Sequence, residues 1–145
     1  MTQPREPRRY RLEDLEVGMT SSFAKMVTEE DIVRFAEVSG DANPIHLNEA
    51  YAKETPFGGR IAHGLLSAGY ISAVLGNQLP GPGSVYLGQD LRFKAPVRIG
   101  DTVEARVEVI ELIPEKKRVV LKTECSVGET VVIEGQATLL VPSRT

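Results

Sequence analysis

A chain of 145 residues lies near the common size of one domain and can bury about two-thirds of its unfolded surface, so a single core is expected. With 41% hydrophobic residues, 26% charged residues and a formal net charge of -3, the composition excludes a disordered chain and a polyanion binder, and no nucleic-acid partner is expected.

The start, MTQPREPRRYRLEDLEVG, has neither an apolar h-region nor a small-residue cleavage pattern, and no apolar run is long enough to cross a bilayer. A cytoplasmic protein without a membrane partner is the expectation. Residues 1–14 read as a loose tail, its Arg5, Arg8, Arg9 and Arg11 a solvated cluster, and residues 15–145 read as one domain. A short strand is predicted around Ser21 to Val27. Thr28, followed by Glu29, Glu30 and Asp31, reads as a helix N-cap with acidic first-turn residues. The helix is predicted to reach about Val38 on a stripe of Ile32, Phe35, Ala36 and Val38.

Gly40 to Asn48 contains an Asn-Pro step and predicts a defined loop rather than continuous helix. A short polar helix follows through Glu49 to Glu54, and Pro56, Gly58 and Gly59 then break the chain. From Leu65 to Leu75 almost no polar face remains, so this helix is expected to be enclosed by the rest of the protein. After Ser84 the period changes to two. Val85, Leu87, Leu91 and Phe93 fall on one face, and Val103, Ala105, Val107 and Val109 on the face of another strand. Arg118 to Val127 and Thr130 to Val141 continue the alternation, and Gly128-Glu129 fits a two-residue hairpin turn. The sum predicts an α+β layer in which a curved antiparallel sheet wraps one apolar helix, the hot-dog arrangement. Its open edges imply pairing with a second copy, as a homodimer or dimer of dimers.

The only histidines are His46 and His63. Asp41 and His46 lie in SGDANPIHLN, on a segment bent at Asn43-Pro44, where a carboxylate and an imidazole aimed at one water can hold it and exchange its protons. At this point an Asx-turn role for Asp41 and a carbonyl-satisfying role for His46 stay open beside that one. In RIAHGLLSAGYIS, His63-Gly64 immediately precedes the apolar helix, whose free N-terminal N–H groups and dipole suit an oxyanion. A glycine there admits a substrate carbonyl without a Cβ in the way.

Other chemistries fail on pattern. Ser67 is not in a G-x-S-x-G elbow, no paired-cysteine or H-E-x-x-H metal motif exists, and no metal is expected. Gly81-Pro82-Gly83 starts like a dinucleotide loop, but Tyr86 stands at its last glycine position. The single cysteine, Cys125, alternates with Val119, Leu121, Thr123 and Val127 and reads as a core residue rather than a reactive thiol.

The blocks FAEVSGDANPIHLN, IAHGLLSAGYIS and LGNQLPGPGSVYLGQDLRFKAPVRIGD, in this order, resemble the MaoC-like (R)-specific enoyl-CoA hydratases, including the short bacterial enzymes that feed polyhydroxyalkanoate synthesis. The resemblance runs from about Leu15 to Val141. It implies the reversible hydration of a trans-2-enoyl-CoA to an (R)-3-hydroxyacyl-CoA, with an acyl-CoA thioester as substrate and no cofactor beyond the CoA that the substrate carries. It also implies that Asp41 and His46 activate the water, that Gly64 N–H is the oxyanion donor, that Ser72 orients hydrogen bonds in the site, and that Leu75 lines the acyl pocket. Arg92, Lys94, Lys117 and Arg118 are candidates for a basic CoA entrance. The competing readings are a 3-hydroxyacyl-carrier-protein dehydratase, a thioesterase and a non-catalytic acyl-thioester binding subunit.

Overall fold

The computed structural model describes residues 9–145. In chain order these form β1 (Thr20–Met26), α1 (Glu29–Ser39), α2 (Pro44–Leu47), α3 (Glu49–Lys53), α4 (Gly64–Asn77), β2 (Val85–Gln89), β3 (Arg92–Phe93), β4 (Thr102–Ile113), β5 (Arg118–Val127) and β6 (Thr130–Leu140). The six strands make one curved antiparallel sheet in the order β1-β4-β5-β6-β2, with β3 also paired to β6. The class is α+β, as the periodicity predicts.

The alternation in the last three strands sets one buried face. Val103, Ala105, Val107 and Val109 of β4, Val119, Leu121, Thr123 and Cys125 of β5, and Ala137 and Leu139 of β6 are all buried. Side chains two apart point to the same side of a strand, so these rows form one apolar wall. Against it lie Tyr70, Ile71, Val74 and Leu75 of α4. The Gly128-Glu129 turn joins β5 to β6 with Gly128 at φ 58, a left-handed conformation that favours glycine.

Five expectations need correction. Residues 1–8 of the expected tail lie outside the described residues, but the rest of it is docked. Tyr10 N–H donates to the Pro80 carbonyl at 3.1 Å and Leu12 N–H to the Pro142 carbonyl at 2.8 Å, and Leu12 is buried. The Gly40 to Asn48 loop contains one helical turn, α2, because Asn43 caps it and Pro44 suits its first position. Val38 is 88% exposed, since the buried side of α1 is carried by Ile32 and Ala36.

The fourth correction concerns the segment around β2, and the fifth the enclosure of α4. Val85, Leu87 and Phe93 are exposed rather than half-buried. A bulge between Tyr86 and Gly88 breaks the period of two, and only Leu91 of the expected row packs on the core. The same side of the molecule leaves α4 open along Leu65, Gly69, Ser72 and Gly76, so the helix is enclosed on three sides rather than all round.

Candidate active site

Asp41 and His46 come from different elements, and local hydrogen bonding aims both. Gly40 ends α1 in a left-handed conformation at φ 83, its N–H donating to the Ala36 carbonyl, so the chain leaves the helix sharply toward Asp41. Asp41 Oδ1 accepts the Asn43 N–H at 3.3 Å, and Asn43 Oδ1 in turn accepts the Ile45 N–H at 3.1 Å and caps α2. His46 is on that single turn. Arg60, with a side chain only 11% exposed, secures the turn from below: its Nε–H donates to the His46 carbonyl at 2.7 Å and its Nη1–H to Glu29 Oε1 of α1 at 2.8 Å.

The His46 ring donates from Nδ1–H to the Ile61 carbonyl at 2.8 Å. A carbonyl can only accept, so the neutral ring carries its proton on Nδ1 and keeps a lone pair on Nε2. Both structural roles left open by the sequence are therefore present, the Asx turn at Asp41 and the satisfied carbonyl at His46. Each occupies one atom of the side chain. Asp41 Oδ2 and His46 Nε2 take no partner among the described residues. Side-chain atoms of Asp41, His46 and His63 lie within 4.8 Å of one another, with Asp41 exposed, His46 half-buried and His63 buried.

His63 stands behind this pair. Its Nε2–H donates to the Asp41 carbonyl at 2.9 Å, and its ring stacks on His46 with centroids 3.9 Å apart and planes 29° apart. Its Nδ1 is buried and has no partner. Burial pushes the His63 pKa below its ordinary value and the nearby His46 adds to this, against the opposing hydrogen bond to Asp41, so the ring is neutral at pH 7. Asp41, His46 and His63 also have the chemistry of metal ligands, each offering one ligand atom within 4.8 Å of the others.

A pocket of about 280 Å³ opens beside His46, lined among others by Phe57, Ile61, Gly64, Ser67, Phe93 and Ile133. α4 starts at Gly64 without a side-chain cap, and the Gly64 N–H takes no partner among the described residues. It is the positive end of a helix turned into a largely apolar pocket that also holds an imidazole, a setting that stabilises negative charge on an oxygen. The structure adds a second reason for glycine at this position. A Cβ at Gly64 would sit 2.5 Å from Phe93 Cε1, so the ring of Phe93 occupies the space that a side chain would need. Ser67, on the next turn of α4, is fully buried and its hydroxyl has no partner.

The remaining sequence candidates are placed elsewhere. Ser72 is on the open face of α4, and Leu75 is buried in the core at 1% exposure; neither lines the pocket. Of the four basic candidates only Lys94 reaches the pocket rim, where its Nζ lies 3.5 Å from Glu134. Cys125 is buried, and burial pushes its thiol up to about 12, which leaves it an inert core residue as expected. His63, Arg60 and Phe93 are the contributors that sequence reasoning missed. For His63 the available signal was the scarcity of histidine itself.

The sequence matches the model of the MaoC like domain family over residues 14–134. The chain is 60% identical over 132 residues to a 3-hydroxybutyryl-CoA dehydratase of Methylorubrum extorquens, covering 91% of this chain and 84% of that one. It is 59% identical, also over 132 residues, to an (R)-specific enoyl-CoA hydratase of Rhodospirillum rubrum, covering 91% and 92%. The solved structure of the A. caviae (R)-hydratase involved in PHA biosynthesis superposes with a TM-score of 0.87 at 42% identity, covering 90% of this chain and 99% of that one.

Proposed function

The chain belongs to the MaoC-like domain family, and from that premise we propose that it is an (R)-specific enoyl-CoA hydratase, a hydro-lyase that interconverts trans-2-enoyl-CoA and (R)-3-hydroxyacyl-CoA. The observation that carries the reading is the pairing of Asp41 and His46, each with one atom fixed by the backbone and one free, beside an unpartnered Gly64 N–H.

In the proposed mechanism the thioester carbonyl accepts from Gly64 N–H, which draws electron density from the double bond and makes C3 electrophilic. Asp41 and His46 hold one water between their free atoms. As its oxygen bonds to C3, one of its protons passes to the pair and a proton passes from the pair to C2. The two groups titrate as a coupled unit, so base and acid are assigned to the pair rather than to either member. No cofactor enters this scheme, since CoA arrives as part of the substrate.

We also propose a homodimer. Edge strand β2 exposes Val85, Tyr86 and Leu87, and next to it α4 exposes Leu65 with the small residues Gly69, Ser72 and Gly76. An apolar sheet edge of this kind is ordinarily covered. A second copy on this face would also give Ser72 a route to a site. No helix among the described residues is long and apolar enough to cross a membrane. We also propose a cytoplasmic location and, on the likeness to the A. caviae enzyme, a role in polyhydroxyalkanoate biosynthesis.

The test is the configuration of the product. Crotonyl-CoA incubated with the protein, followed by chiral separation of the 3-hydroxybutyryl-CoA formed, should give the (R) form alone. An (S) or racemic product contradicts the reading, and conversion only of carrier-protein thioesters favours the dehydratase alternative.

A further inference from the structure

We propose that His63 is a positioning residue of the active site, one that locks the Asp41 backbone, the His46 ring and the Gly64 N–H into a single constellation; this rests on the hydratase reading above. The ring reaches two separate parts of the site. Its Nε2–H holds the Asp41 carbonyl at 2.9 Å, and its face lies 3.9 Å from the face of His46. Its own backbone is the N-cap of α4 and is covalently joined to the oxyanion donor.

Both contacts fall on the two residues of the proposed catalytic pair. Asp41 is exposed and sits in a loop whose other bonds are short-range, from Ser39, Gly40 and Asn43. Among the described residues His63 is the anchor that ties this loop to a distant element. The ring also meets Phe35 of α1, with centroids 4.7 Å apart and planes 55° apart, so it touches both α1 and α2. Neutrality matters as well: a charged ring beside the Asp41–His46 pair would oppose uptake of a proton from water by that pair. Burial, with 2% of the residue exposed, supplies that neutrality. Displacements of about 1 Å in a catalytic group can cost about a hundredfold in rate, which makes an anchor of this kind kinetically visible.

The test compares His63→Gln with His63→Phe. Glutamine can place an amide N–H near the position of Nε2, whereas phenylalanine keeps a flat ring but has no donor. We expect His63→Phe to lower kcat for crotonyl-CoA by about ten- to a hundredfold with KM unchanged, and His63→Gln to recover most of that loss. Backbone order parameters of the Asp41 and Ala42 amides, measured by NMR without substrate, should drop in His63→Phe and stay near wild type in His63→Gln. Wild-type kcat and order parameters in His63→Phe would overturn the proposal. So would an equal loss in both variants that tracks melting temperature, or failure of both to fold, because either means that His63 is merely structural. If wild type itself does not turn over crotonyl-CoA, the hydratase reading fails, and the order parameters alone decide the anchoring role.

Discussion

The ring of Phe93 lies where the side chain of residue 64 would begin, with Phe93 Cε1 and Cδ1 at 2.5 and 2.6 Å from the Cβ position of Gly64. Glycine at the head of α4 therefore serves β3 as much as any ligand. Gly64→Ala should destabilise the protein by about 1–3 kcal/mol through this overlap. The double variant Gly64→Ala, Phe93→Leu should recover at least about 0.5 kcal/mol relative to additivity in a urea-denaturation cycle. Strict additivity would show that the two residues do not compete for this space.

Ser67 behaves in the opposite way. Its hydroxyl is buried without a partner, and a buried donor left unsatisfied costs about 1–3 kcal/mol. Ser67→Ala removes that cost at the expense of little volume, so chemical denaturation should show a gain of about 1 kcal/mol in the ligand-free protein. A loss of stability would mean that the hydroxyl is satisfied in solution.

How much of this was legible beforehand depended on whether the signal was local. The buried row of β4, the Thr28 cap with Asp31 and the Gly128 hairpin are all written in neighbouring residues, and the structure follows them. The meeting of Asp41 and His46 was legible in the bent segment between them, while a role in activating water came only with the family resemblance. Phe93 was not, because β2 and β3 lie at the sheet edge against β6 alone and are exposed over nearly their whole length, which depends on pairing with a strand distant in the chain. Val38 was misjudged for a similar reason. Its position on α1 fits the stripe, but among the described residues its side chain is left exposed. His63 and Arg60 contribute through contacts with residues distant in the chain, which no local period can encode.

The depressed pKa of His63 gives stability a pH dependence of known sign. Unfolded, this ring titrates near its ordinary 6.5, and in the folded state it stays neutral to lower pH. Between those two values the unfolded chain binds the extra proton, so its share of stability is complete above pH 6.5 and is lost as pH falls toward the folded pKa. Urea midpoints measured from pH 8 down to 5 should fall for wild type, and fall less steeply for His63→Gln. Equal slopes would place the titration elsewhere.

If the free atoms of Asp41 and His46 activate water for addition to an enoyl thioester, losing either must slow turnover. Loss of the enoyl-thioester absorbance with crotonyl-CoA, recorded for wild type, Asp41→Asn and His46→Ala with the fold of each checked by circular dichroism, reads this out. Proton-transfer groups contribute about a hundred- to ten-thousandfold. Rapid loss in wild type and a fall of at least about a hundredfold in each folded variant is the predicted result. Near-wild-type turnover in either variant would contradict that role.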